Sequence, residues 1–221
     1  MNQALLMTVV MVAVTGCTSI SSVQRADTLG RGTVQVAVEA GAGLLQGPLL
    51  SVQLGGIGPI GSGPSLDGLP QFDAAIRAGV TDSVDVGARA GLSGLELHTK
   101  VRLTEASSRV ILSVVPTVGT NGTTVSAALP VLVGLRLGPH ELTLGLRPVV
   151  LVSSRTPALG FIPAASLGVA LQVFDRFTLM PEVAFSLPMM ALGDAGLSTL
   201  PSAATPLVLF KLGFHFDVVR R

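Results

Sequence analysis

From Thr33 onward, polar and apolar residues alternate with a period of two. Val34, Val36, Val38 and Ala40 fall on one side of an extended segment, with Thr33, Gln35, Ala37 and Glu39 on the other. The pattern is clearest where Leu95, Leu97, Thr99, Val101 and Leu103 interleave with Glu96, His98, Lys100, Arg102 and Thr104. Such a segment has unlike faces and is not buried on both. Phe72–Gly79 and Val84–Gly91 alternate in the same way around Thr81-Asp82, which predicts a hairpin. Further runs cover Val110–Val118, Thr124–Leu137, Leu142–Val152, Ile162–Val173, Phe177–Leu187 and Pro206–Val218, many separated by breakers such as Asn121-Gly122 and Gly138-Pro139. With Thr33–Gly41 as the first, the count is about ten strands, within a range of about eight to twelve, each near the length a tilted strand needs to cross a bilayer.

Composition changes what this alternation means. The chain is 48% hydrophobic and 12% charged, against about a quarter charged in ordinary soluble domains. Beyond residue 16 no run of about 18 apolar residues is free of charge, Pro or alternation, so helical spans are not expected. The hydrophobic surface is then one face of a sheet. A net charge of +1 without a basic block gives no footprint for nucleic acid. Cys17 is the single cysteine, so disulfides contribute nothing.

That cysteine follows a short apolar run, Ala4 to Val14, in the order Val14-Thr15-Gly16-Cys17. The arrangement resembles the bacterial lipoprotein signal, in which an aliphatic residue, a small residue and Gly or Ala precede the cysteine that is acylated. The resemblance implies a signal peptide over 1–16, removed on export, and a lipid on Cys17 as the only attached group, with no other cofactor. Several acyl chains at about 0.8 kcal/mol per buried methylene would hold such a protein on a membrane. Thr18 in place of Asp implies, in that family, export to the outer membrane by the lipoprotein-sorting machinery. Residues 17–32 then read as the lipidated Cys and a Ser/Thr-rich tether, and 33–221 as one domain.

The strands over roughly 33–218 resemble the small integral β-barrels of Gram-negative outer membranes. Phe210, Leu212, Phe214 and Phe216 share one face of the last segment, similar to the terminal strand that the barrel-assembly machinery recognises. The implied fold is all-β: an antiparallel up-and-down transmembrane β-barrel in outer-membrane lipid, with the lipid anchor on the periplasmic side. With no Trp or Tyr, any aromatic girdle falls to eight Phe residues.

If the apolar face meets lipid, the lumen collects Glu39, Asp73, Asp85, Glu96, Glu141, Glu182 and Asp217 against Arg77, Arg89, Lys100, Arg102, Arg136, Arg147 and Lys211. Unpaired buried charge costs several kcal/mol per ion, so these groups are expected to pair or meet water. A ten-stranded barrel is only slightly wider than the eight-stranded ones that side chains fill. A largely plugged, non-enzymatic barrel with a structural or narrow-pore role is the expectation. The alternative is a periplasmic lipoprotein whose barrel or curved sheet holds a lipid or other apolar ligand, with the alternation reversed.

Other motifs recede on inspection. Gly56-Ile57-Gly58-Pro59-Ile60-Gly61 has dinucleotide-fingerprint spacing, but Ser62-Gly63-Pro64 follows where a helix is needed. Leu49 to Leu54 reads as an extra short strand or a partial plug. His98 and His215 share the inner parity and His140 sits in a turn, without the spacing of a metal site. Asn121-Gly122-Thr123 is a turn signal before it is a glycosylation acceptor. No Gly-x-Ser-x-Gly elbow or assignable catalytic pair is present.

Overall fold

The computed structural model describes residues 20–21, 23–45, 69–91, 94–122, 124–153, 159–187, 190–193, 196–199 and 207–219. The signal segment, Cys17, Leu49 to Leu54 and the Gly56–Gly61 motif lie outside them. All described regular elements are strands: β1 (Val34–Leu45), β2 (Leu69–Gly79), β3 (Val84–Gly91), β4 (Gly94–Arg102), β5 (Val110–Val114), β6 (Thr117–Thr120) and β7 (Thr124–Ala128) come first. They are followed by β8 (Val131–Leu137), β9 (His140–Ser153), β10 (Leu159–Phe174), β11 (Phe177–Ser186), β12 (Met190–Gly193), β13 (Gly196–Thr199) and β14 (Leu207–Val219).

These make ten staves. β5 and β6 are one stave interrupted at Val115-Pro116, since Val101↔Val114 and His98↔Thr117 keep a single register against β4. β7 and β8 are likewise one stave broken at Leu129-Pro130, in a single register against β9. Proline has no amide proton for the ladder, which is why each stave breaks there. The carbonyls of both prolines still accept, from Thr99 N at 3.0 Å and Val115 N at 2.8 Å. Neighbours pair antiparallel in chain order, and β1 closes on β14 from Gln35↔Asp217 to Leu45↔Leu207. Closure leaves no open edge. The β12–β13 hairpin continues the stave of β11 along β10, with Leu159 opposite Leu192.

Short connections, at residues 80–83, 103–109, 138–139 and 175–176, lie at the end where β1 begins and β14 ends. Most of the longer ones lie at the other end. The parity of the wall is unambiguous: Phe72 leaves 57% of its surface outside and Arg77 leaves 4%. Val38, Ile76, Leu97, Leu146, Leu167 and Phe210 join Phe72 on the exterior. The barrel is therefore apolar outside and charged inside, the reverse of a lipid-carrying pocket.

The described residues of the stretch expected to be a tether, 20–21 and 23–32, are part of the barrel's interior. Gly30 and Gly32 have positive φ, and here the chain turns under the rim, with Gly32 N donating to Gly79 O at 2.8 Å. Gly79 must be glycine for this approach, because a Cβ there would sit 1.9 Å from Gly30 O. From this turn the segment climbs backwards through the lumen. Ala26 packs with Ile111, Val115 and Leu132, Val23 with Ala170 and Met180, and Ile20 with Leu151, Ile162 and Leu209. Residue 20 thus reaches the half of the lumen nearer the long connections. A free linker would have left these inner apolar side chains facing a water-filled bore.

Candidate functional site

The lumen has two layers of charge. At mid-height, alternating charges form an unbroken chain from one side of the wall to the other. Lys211 Nζ lies 2.6 Å from Asp73 Oδ2 and 3.2 Å from Glu39 Oε2. Arg89 then reaches Glu39 at 3.5 Å and Glu96 at 3.0 Å, and Arg147 reaches the other Glu96 oxygen at 2.5 Å. Arg147 is on β9 and Glu96 on β4, with two staves between them in the wall, so this last pair crosses the bore. All six groups are buried. Each cation faces a carboxylate, which offsets the desolvation that an isolated ion would suffer.

The inner segment completes this layer and builds the one below. Ser21 Oγ donates to Glu182, and Arg89 Nη1 donates to Ser21 O at 2.8 Å. Lower down, Lys100 Nζ lies 3.5 Å from Asp85 and donates to the carbonyls of Arg25 at 3.0 Å and Asp27 at 2.7 Å. Glu141 accepts from Ala26 N at 2.5 Å and Arg25 Nε at 3.2 Å, and Ser113 Oγ donates to Ala26 O at 2.6 Å. Asp27 is held by Arg102 at 2.7 Å and Arg136 at 2.5 Å. Burial pushes the Asp27 carboxyl up, but the hydrogen bonds and charges of Arg136 and Arg102 outweigh it and hold its pKa below the ordinary aspartate value.

The candidate lumen residues Glu39, Asp73, Arg77, Asp85, Arg89, Glu96, Lys100, Arg147, Glu182 and Lys211 all lie on the inner face with 7% exposure or less. Arg102 points inward too, to Asp27. Asp217 and Arg136 are half-buried at the turn end. Sequence reasoning missed Ser21, Arg25 and Asp27, because the Ser/Thr-rich stretch around them has no hydrophobic period. A weak signal was present at Arg102, which faces Ser113 on β5; Arg136 has Glu141 opposite it on β9 and gave none. It also missed an apolar inner cluster near the long connections, formed by Val149, Leu151, Ile162, Ala164, Ala184 and Leu209. The run Val149-Val150-Leu151-Val152, apolar on both parities, marks a strand covered on both faces.

Among the described residues no group of three or more His, Cys, Asp or Glu stands together to hold a metal ion. His140 opens β9 and its Nδ1 accepts from Gln172 N at 3.2 Å, while His98 and His215 face inward.

No protein-family model matches the chain, and no curated protein matches it by sequence. Solved structures match by shape. An outer-membrane channel from Pseudomonas putida F1 superposes with a TM-score of 0.53 at 9% identity, covering 86% of this chain and 97% of that one. The fold is that of an outer-membrane β-barrel. The outer-membrane protease OmpT from Escherichia coli gives a TM-score of 0.44 at 7% identity over 90% and 100% of the two chains. Ail, the attachment invasion locus protein of Yersinia pestis, gives 0.31 at 11% identity over 84% and 98%.

Proposed function

We propose that this chain is a non-enzymatic, lipid-anchored barrel of the bacterial outer membrane, with a structural or narrow-pore role and a lumen closed by its own N-terminal segment and charge network. One observation carries the reading: the wall is apolar outside while most of its inner charges are satisfied by one another and by the described residues of 21–29. A bore crossed by paired side chains and filled by backbone leaves little path for a solute. Insertion would use the barrel-assembly machinery and the anchor the lipoprotein-sorting machinery. Planar-bilayer recording tests the closure. The full chain is expected to conduct weakly, and a chain lacking residues 20–29 to show larger steps; wide-pore conductance from the full chain would sink the reading.

Acylation at Cys17 makes a demand on the inner segment. Cys17 lies three positions before Ile20, a reach of at most about 11 Å. A periplasmic anchor therefore requires the segment to leave the lumen, whereas a segment that stays carries the lipid toward the long-connection end. Labelling with radioactive palmitate, lost in Cys17→Ser, tests the modification; label retained in that variant refutes it.

A further inference from the structure

We propose that the turn-side mouth of the lumen is a binding site for a small oxyanion, seated on Arg77. A cavity of about 320 Å³ lies there between the inner segment and the wall, room for a hydrated ion, since water takes about 30 Å³ per molecule in the liquid. Its lining brings four cations, Arg25, Arg77, Lys100 and Arg136, against Asp27, Asp175 and Asp217. Three of the cations have carboxylate partners: Arg25 with Glu141, Lys100 with Asp85 and Arg136 with Asp27. Arg77 forms no ion pair among the described residues, although it is 4% exposed.

The polar contact Arg77 does make is to a neutral group. Its Nη2 lies 2.7 Å from His215 Nδ1. A guanidinium only donates, so Nδ1 accepts and the imidazole proton sits on Nε2. That nitrogen is buried and meets no acceptor among the described residues. Gln35 Oε1, 3.1 Å from the same Nδ1, receives no proton from it, and Gln35 Nε2 is turned to Asp217 at 2.8 Å.

On the other side of Arg77 the register adds a second histidine. Arg77 pairs with Gly87, and Gly87 with His98, placing the three on one row of the wall. Gly87 leaves the space into which both side chains lean: a Cβ there would sit 2.5 Å from His98 Nε2 and 2.8 Å from Arg77 Cγ. Both His98 ring nitrogens are buried and meet no partner among the described residues, and an imidazole always carries at least one N–H. Of this row Arg77 alone lines the cavity, and the two histidines beside it bring N–H groups short of acceptors but no negative charge. Phosphate, sulfate or a small carboxylate in the cavity supplies the ion-pair partner that Arg77 lacks, and the planar fork of arginine matches its geometry.

The test is calorimetric titration of the full chain in detergent micelles with inorganic phosphate, sulfate and acetate, each at constant ionic strength. Saturable binding of at least one of these is expected, weakened about tenfold or more in Arg77→Gln and unchanged in Arg31→Gln, whose side chain is exposed at the same end. No saturable binding by any of the three, or equal binding by Arg77→Gln, overturns the site. Should Arg77→Gln fail to refold, Arg77→Lys keeps the charge without the fork. It is expected to bind several-fold more weakly, and unchanged affinity overturns the assignment.

Discussion

The two halves of the lumen hold the inner segment by different physics. Toward the short turns, the inner segment is gripped by charge-assisted hydrogen bonds, with Lys100, Arg102, Arg136 and Glu141 all holding residues 25–27. Toward the long connections, Ile20 is packed among Val149, Leu151, Ile162, Ala164, Ala184 and Leu209. The polar half depends on complete pairing, and fails sharply when one partner is lost. The apolar half depends on filled volume, and loses stability in proportion to what is removed. One chain segment thus has a fixing point that responds to charge and another that does not.

Lys211→Met should separate them most strongly. It leaves Asp73 and Glu39 buried without their shared cation, at a cost of roughly 3–5 kcal/mol. Urea titration of the refolded barrel measures it, and a loss below about 1 kcal/mol would mean that water replaces the lysine freely. In the apolar half, Leu209→Ala removes a fully buried side chain from beside Ile20. About 2–4 kcal/mol is expected there, independent of salt, measured by the same titration at two ionic strengths.

The smaller effect is pH dependence of the segment's grip. Asp27 has its pKa depressed in the folded state, so the unfolded or released chain binds its proton more readily. Its contribution is present above the ordinary aspartate pKa and is lost as pH falls through the lower, folded value. Hydrogen-exchange protection of residues 23–29, relative to the free chain at the same pH, should be flat at neutral pH and fall in acid, while that of β9 changes little. Asp27→Asn should flatten the profile; an unchanged acid limb in that variant would move the dependence to another group.

Much of this was legible along the chain because a strand's faces follow parity. Once Phe72 and Ile76 are assigned outside, Asp73 and Arg77 must be inside, and the same step assigns Glu96, Lys100 and Arg102 from Leu95 and Leu97. Closure followed less directly, from the resemblance of about ten two-faced strands to the small outer-membrane barrels. The inner segment was not legible. Ser21 to Gly32 has no period, and many of its contacts are made by backbone amides and carbonyls, which every residue carries. Asp27 could be read as a surface charge until Arg102 and Arg136 were seen to converge on it from strands 34 residues apart in sequence.

By itself the sequence determined which side of each strand is wet with charge and which is apolar, since alternation is a local property set by the pleat. The tertiary structure alone decided who pairs with whom across the bore, that the described residues of 20–33 run inside it, and that Arg77 stands beside two histidines with no carboxylate in ion-pair contact among the described residues. Those outcomes depend on strand stagger and closure, which join residues that no local spacing relates.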